Sequence, residues 1–92
     1  MNIGKALEAL DDGKAVQRQG WNGAGLFVYR VPAASYPAQT GVAKAYFGED
    51  ALVPYQAYLA MKTADGTVVP WTASQTDLQA EDWIVLEVKH AD

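Results

Sequence analysis

Apolar residues open the chain at Ile3, Ala6, Leu7 and Leu10, a spacing that puts them along one side of a helix. Asn2 is the candidate N-cap and Gly13 stands where the element should stop, so the pattern predicts a short amphipathic helix. Lys14 to Gln19 reads as a brief strand. Gly20-Trp21-Asn22-Gly23-Ala24-Gly25 follows, too rich in glycine to be anything but a turn or tight loop. Leu26 to Val31 is aromatic and β-branched and closes at Pro32, which predicts a hairpin with Trp21 at its tip.

Between Pro32 and Pro54 no period is sustained, because Pro37, Gly41 and Gly48 interrupt it, and the segment reads as an irregular excursion. Tyr55 to Thr63 predicts a strand with Tyr58, Ala60 and Lys62 on one face and Leu59 and Met61 on the other. Asp65-Gly66 signals a hairpin turn, and Thr67 to Trp71 returns as a strand whose Pro70 suggests an edge or the strand's end. Ser74 and Asp77 have the spacing of a capping box around a helical turn, and Trp83 to Val88 alternates as a final strand. The expectation is a single α+β domain over 1–92. It comprises an N-terminal helix, an antiparallel sheet of about four to five strands, and a short helical turn before the last strand.

Ninety-two residues bury well under three quarters of the surface their unfolded chain exposes, yet half of them are apolar and a fifth charged. Self-association is therefore expected, with clefts formed between copies. The net charge of −4, with seven scattered lysines and arginines, argues against nucleic-acid polymers and against a membrane surface. Cysteine is absent and the single histidine is His90, which leaves no disulfide framework, no Cys or His metal site and no cofactor to expect. No apolar stretch of leader length stands near Met1, so a cytoplasmic location is expected.

Three tryptophans and five tyrosines are the informative excess. Trp21 lies among glycines that cannot cover it: either it folds back onto the domain or a subunit, or a ligand covers it. Trp71 precedes Thr72 to Asp77, a run of hydroxyls, amides and a carboxylate. An aromatic platform beside polar side chains is the composition of a purine pocket, where stacking contributes roughly 1 to 3 kcal/mol per base. Trp83, inside an alternating strand, reads as core. No catalytic constellation emerges: Asp11-Asp12 and Glu81-Asp82 are sequence neighbours that point apart or decorate solvated ends, and nothing brings Ser74, Asp77 and His90 together.

Gly20-Trp21-Asn22-Gly23 after the first helix, Tyr36-Pro37, and the long run from Met61 through Asp65-Gly66, Pro70-Trp71 and Ser74-Gln75-Thr76-Asp77 to Asp82-Trp83 resemble the phage Thoeris anti-defence family of the second type. The likeness spans nearly the whole chain and is weakest over 38–53. It implies a phage or prophage protein that sequesters the glycocyclic ADP-ribose signal of a TIR-domain enzyme in the host cytoplasm without degrading it. It also implies homotetramers built as dimers of dimers, pockets at protomer boundaries, and cyclic dinucleotides as ligands of some relatives. Combined with the residue chemistry, the ligand-binding candidates are Trp21 and Trp71 for stacking. Asn22, Ser74, Gln75, Thr76 and Asp77 are the polar readers, Gly23 offers a loop amide, and Arg18 or Lys62 would meet the pyrophosphate. The alternative is a small scaffold that presents its tryptophans to a protein partner.

Overall fold

The computed structural model describes residues 1–21 and 25–88. The Asn2 side chain accepts a hydrogen bond from the Lys5 amide at 3.0 Å and starts α1 (Ile3–Asp11). Gly13, at φ +82°, bonds its amide to the Leu10 carbonyl while that of Lys14 reaches Ala9, which reverses the chain at the helix end. The buried stripe of α1 is Ala6, Ala9 and Leu10; Leu7, at its border, is left exposed.

The chain continues through β1 (Ala15–Arg18), β2 (Phe27–Val31), β3 (Ala34–Pro37), α2 (Gly41–Phe47), β4 (Leu52–Tyr55), β5 (Tyr58–Lys62), β6 (Val68–Pro70), α3 (Gln75–Gln79) and β7 (Trp83–Leu86). Five strands form one antiparallel sheet in the order β6-β5-β2-β1-β7. Its edges are β6, which carries Pro70 where no inner strand could accept it, and β7, whose first residue, Trp83, exchanges backbone hydrogen bonds with Met1. The turn between β5 and β6 closes with Thr63 and Thr67 bonded through their backbones at 2.8 Å and Gly66 at φ +91°. Asp65 accepts from Thr63 and Thr67 there, and these bonds hold its carboxyl down to about 2.

The core lies between α1 and one face of the sheet, where Val16, Val28 and Trp83 meet Ala6, Ala9 and Leu10. Each large apolar side chain buried there contributes roughly 1.5 to 3 kcal/mol. Ile3, Leu59, Met61, Trp21 and Trp71 extend this cluster at its margin. The opposite face, with Ala15 and Ala60 buried in its middle and Phe27 and Tyr29 half-buried, carries no helix among the described residues.

Two expectations are corrected. The segment read as an irregular excursion is an ordered arm: β3 and β4 pair as a separate two-stranded sheet, and α2 spans their connection. Thr40 caps α2 by accepting from the Ala43 amide at 3.0 Å, and Gly48, at φ +114°, ends it. No residue of α2 is buried, so no apolar period was needed to build it. Prolines 37 and 54 are tolerated because both strands of a two-stranded sheet are edges. The run from Tyr55 to Thr63 is also not one strand. Tyr55 ends β4 and Tyr58 starts β5, and the chain passes between the two sheets at Gln56-Ala57.

Only Ala38 and Val53 give the arm buried apolar residues of its own. It extends the molecule to 46 × 32 × 21 Å, with a radius of gyration of 16.0 Å against the about 12 Å of a compact chain this long.

A tryptophan trio and its polar rim

Trp83 is 1% exposed, and its indole nitrogen donates to the Asp77 carbonyl at 3.1 Å. Trp21 packs edge-on against it with ring centroids 5.4 Å apart, and Trp71 does the same at 5.9 Å. The two rings proposed from sequence as a platform are therefore one indole apart, on the same side of the sheet and both half-buried. Edge-to-face contacts add about 0.5 to 1.5 kcal/mol each beyond area burial and leave part of each outer ring uncovered. The position of Trp71 follows from pairing, since its amide bonds the Leu59 carbonyl at 2.9 Å just beyond β6.

Beside the trio, Ser74, Gln75 and Thr76 are exposed and Asp77 is buried. The Ser74 hydroxyl receives the Asp77 amide at 3.1 Å while the Asp77 carboxylate receives the Ser74 amide at 2.9 Å, the reciprocal capping box expected at this spacing. Ser74 also shares a hydrogen bond with the Thr76 hydroxyl at 2.9 Å, so among the described residues Gln75 is the polar reader whose side chain is uncommitted.

Arg18, the last residue of β1, spends its guanidinium inside the protomer. Its Nε donates to Asp82 Oδ1 at 2.9 Å and its Nη1 to Asp77 Oδ1 at 3.0 Å. The remaining Asp82 oxygen accepts from the Gly20 amide at 2.9 Å. Hydrogen bonds from Arg18 and then Gly20 hold the Asp82 carboxyl below its ordinary range. Burial pushes the Asp77 carboxyl up, but the bonds from Ser74 and Arg18 together bring it lower than usual. Hydrogen bonds to Asp82 and then Asp77 raise Arg18 above its already high value.

Lys62 lies elsewhere. Paired with Phe27 across β2 and β5, it faces the side of the sheet without a helix, donates to the Gly25 carbonyl at 3.0 Å and sits 5.8 Å from the Phe27 ring centre. That face holds a concavity of about 590 Å³ whose walls include Phe27, Tyr29, Lys62, Val68 and Leu86 and neither Trp21 nor Trp71. Asn22 and Gly23 fall outside the described residues, as does His90. The structure thus gathers Arg18, Trp21, Trp71 and Ser74 to Asp77 on one side and separates Lys62 from them.

Sequence reasoning missed the part played by Asp82, which it read with Glu81 as neighbouring acids that point apart or decorate a solvated end. Its role depends on Arg18 standing opposite Trp83 in the β1–β7 register, a pairing between residues more than sixty apart that leaves no local trace.

The chain matches the model of the Thoeris anti-defense 2-like domain over residues 1–86. It is also similar to a Bacillus phage SP01 protein called Thoeris anti-defense 2, 37% identical over 87 residues that cover 94% of each chain. The chain belongs to this family. The matched span takes in every strand of both sheets, so family membership covers both the tryptophan trio and the arm. Among the described residues, no helix is long and apolar enough to cross a membrane.

Proposed function

We propose that the chain is a phage anti-defence sponge. It binds a cyclic ADP-ribose-type immune signal, with cyclic dinucleotides as a second ligand class, holds it without reaction in the infected host's cytoplasm, and so blocks Thoeris-type immunity. The anti-defence part of this reading is carried by family membership. The observation that supports nucleotide capture is the placement of two half-buried indoles beside the uncommitted Gln75 and the exposed Ser74 and Thr76. A flat base stacks on the partly open rings of Trp21 and Trp71, while amide and hydroxyl groups read its edge and the ribose.

The pocket is completed by self-association, most simply as a tetramer built from dimers. The arm supports this: Val42 and Tyr46 are each more than four-fifths exposed, and Phe47, Leu52, Tyr36 and Tyr55 stand out beside them. A monomer that leaves so many large apolar groups in water gains by covering them with a second copy. Assembly also gives Lys62 a part. Remote from the tryptophans of its own protomer, it reaches a pyrophosphate only across a protomer boundary.

Isothermal titration of the purified protein with glycocyclic ADP-ribose tests this reading, followed by heat release and mass analysis of the ligand. Tight binding with the ligand recovered intact is expected, and Trp21→Ala should weaken capture measurably, by the roughly 1 to 3 kcal/mol of one stacked base, in a protein that keeps its oligomeric mass. Recovery of a cleaved product at turnover sinks the sponge. Failure to bind any cyclic nucleotide, with a protein partner captured through the same tryptophans, would instead favour the scaffold alternative.

A further inference from the structure

We propose that Arg18 is a positioning residue rather than an anion receptor: by bridging Asp82 and Asp77 it holds the loop that carries Trp21 in register with the segment that follows Trp71. This rests on the sponge reading above and assigns a mechanical part within that site. Each carboxylate gives one oxygen to the guanidinium and the other to the backbone. Asp82 holds the Gly20 amide at 2.9 Å, immediately before Trp21, and Asp77 holds the Ser74 amide at 2.9 Å, shortly after Trp71. The chain of contacts therefore runs from Gly20 through Asp82, Arg18 and Asp77 to Ser74 without a break. Two further bonds seat it: the Trp21 amide donates to the Arg18 carbonyl at 3.1 Å, and the Trp83 indole to the Asp77 carbonyl at 3.1 Å.

Charge points the same way. One guanidinium facing two carboxylates leaves the cluster with a net negative charge, which repels a pyrophosphate. The Arg18 side chain is 20% exposed and that of Asp77 11%, so screening by water is incomplete. The two acids are met by separate nitrogens of one planar fork, a fixed geometry that a lysine ammonium does not reproduce. Gly20 fits the arrangement as well, because a Cβ on it would come within 3.0 Å of Asp82 Oδ2.

The test measures the affinity of glycocyclic ADP-ribose for Arg18→Met, Arg18→Lys and Asp82→Asn, each also made in a Trp21→Ala background, together with the near-ultraviolet circular dichroism of the ligand-free proteins. A positioning role predicts that all three variants weaken binding by about tenfold, that lysine does not rescue, and that the loss largely disappears once Trp21 is gone. Arg18→Met should also diminish the ligand-free tryptophan signal, because the trio loosens. An anion receptor predicts the reverse: Arg18→Lys retains most affinity, Asp82→Asn binds more tightly, and the effects add to that of Trp21→Ala. Either of those patterns overturns the proposal, as does a fall in melting temperature with affinity unchanged. Should the wild-type protein bind no cyclic nucleotide, the sponge reading falls by itself. The ligand-free spectrum then decides this proposal: loss of the tryptophan signal in Arg18→Met and in the milder Asp82→Asn supports it, and an unaltered spectrum refutes it.

Discussion

The tryptophan trio and the arm are built from similar residues and end in opposite states. Around Trp83 the aromatic rings are fixed from several directions at once, by α1 above, by the edge contacts of Trp21 and Trp71, and by the Arg18 network beside them. On the arm, Tyr46 stacks edge-on against Phe47 at 4.9 Å and Tyr36 meets Tyr55 at 5.9 Å, yet these groups are left largely in water. Aromatic content alone therefore does not mark a core. What separates the two regions is whether the fold supplies a second layer, and the arm has only Ala38 and Val53 to offer. The trio is where stability within the protomer is concentrated, while the arm leaves its large apolar side chains in water.

Substitutions should divide along the same line. Trp83→Ala removes the central ring and its bond to Asp77, and a loss of about 3 to 5 kcal/mol is expected in urea unfolding, enough to unfold much of so small a domain. A cost below 1 kcal/mol would mean that the trio is not the centre of the core. Acid sharpens the contrast next. Asp77 and Asp82 are held below their ordinary values in the folded protein, so their stabilisation is fully present above roughly pH 4 and is lost as pH falls through their lowered folded values. A melting series from pH 6 to pH 2 should fall over that range, and the fall should shrink in Asp82→Asn.

Smaller effects follow at the cap and on the arm. Ser74→Ala removes the hydroxyl that receives the Asp77 amide and should cost about 1 kcal/mol by chemical denaturation. Tyr46→Asp, on a side chain 82% exposed, should change the unfolding free energy of the protomer by less than about 0.5 kcal/mol. Its effect should appear in sedimentation velocity as a shift to lower mass, and an unchanged mass would remove the arm from the assembly surface.

Much of the scaffold was legible because it follows from local rules. The Asn2 cap, the Gly13 stop, the Ser74–Asp77 box, the turn at Asp65-Gly66 and the edge placement of Pro70 each need only a few neighbouring residues and elementary backbone chemistry. The arm was hidden for a physical reason: a seven-residue helix with no buried face shows no period, and its strands are short and interrupted by proline. The fate of Arg18 was hidden differently, since it rests on acids about sixty residues away.

By itself, then, the sequence determined the caps, the turns and the helices and strands of the main layer, though not the arm, and which side chains could stack on or read a flat polar ligand. Only the tertiary structure decided that β7 lies against β1, that Trp83 stands between Trp21 and Trp71, that Arg18 is claimed by two carboxylates, and that Lys62 faces the other way. The reason is one of range. Caps and turns are settled by hydrogen bonds within a few residues, whereas strand order and the pairing of charges depend on contacts between distant segments, which only the folded chain brings together.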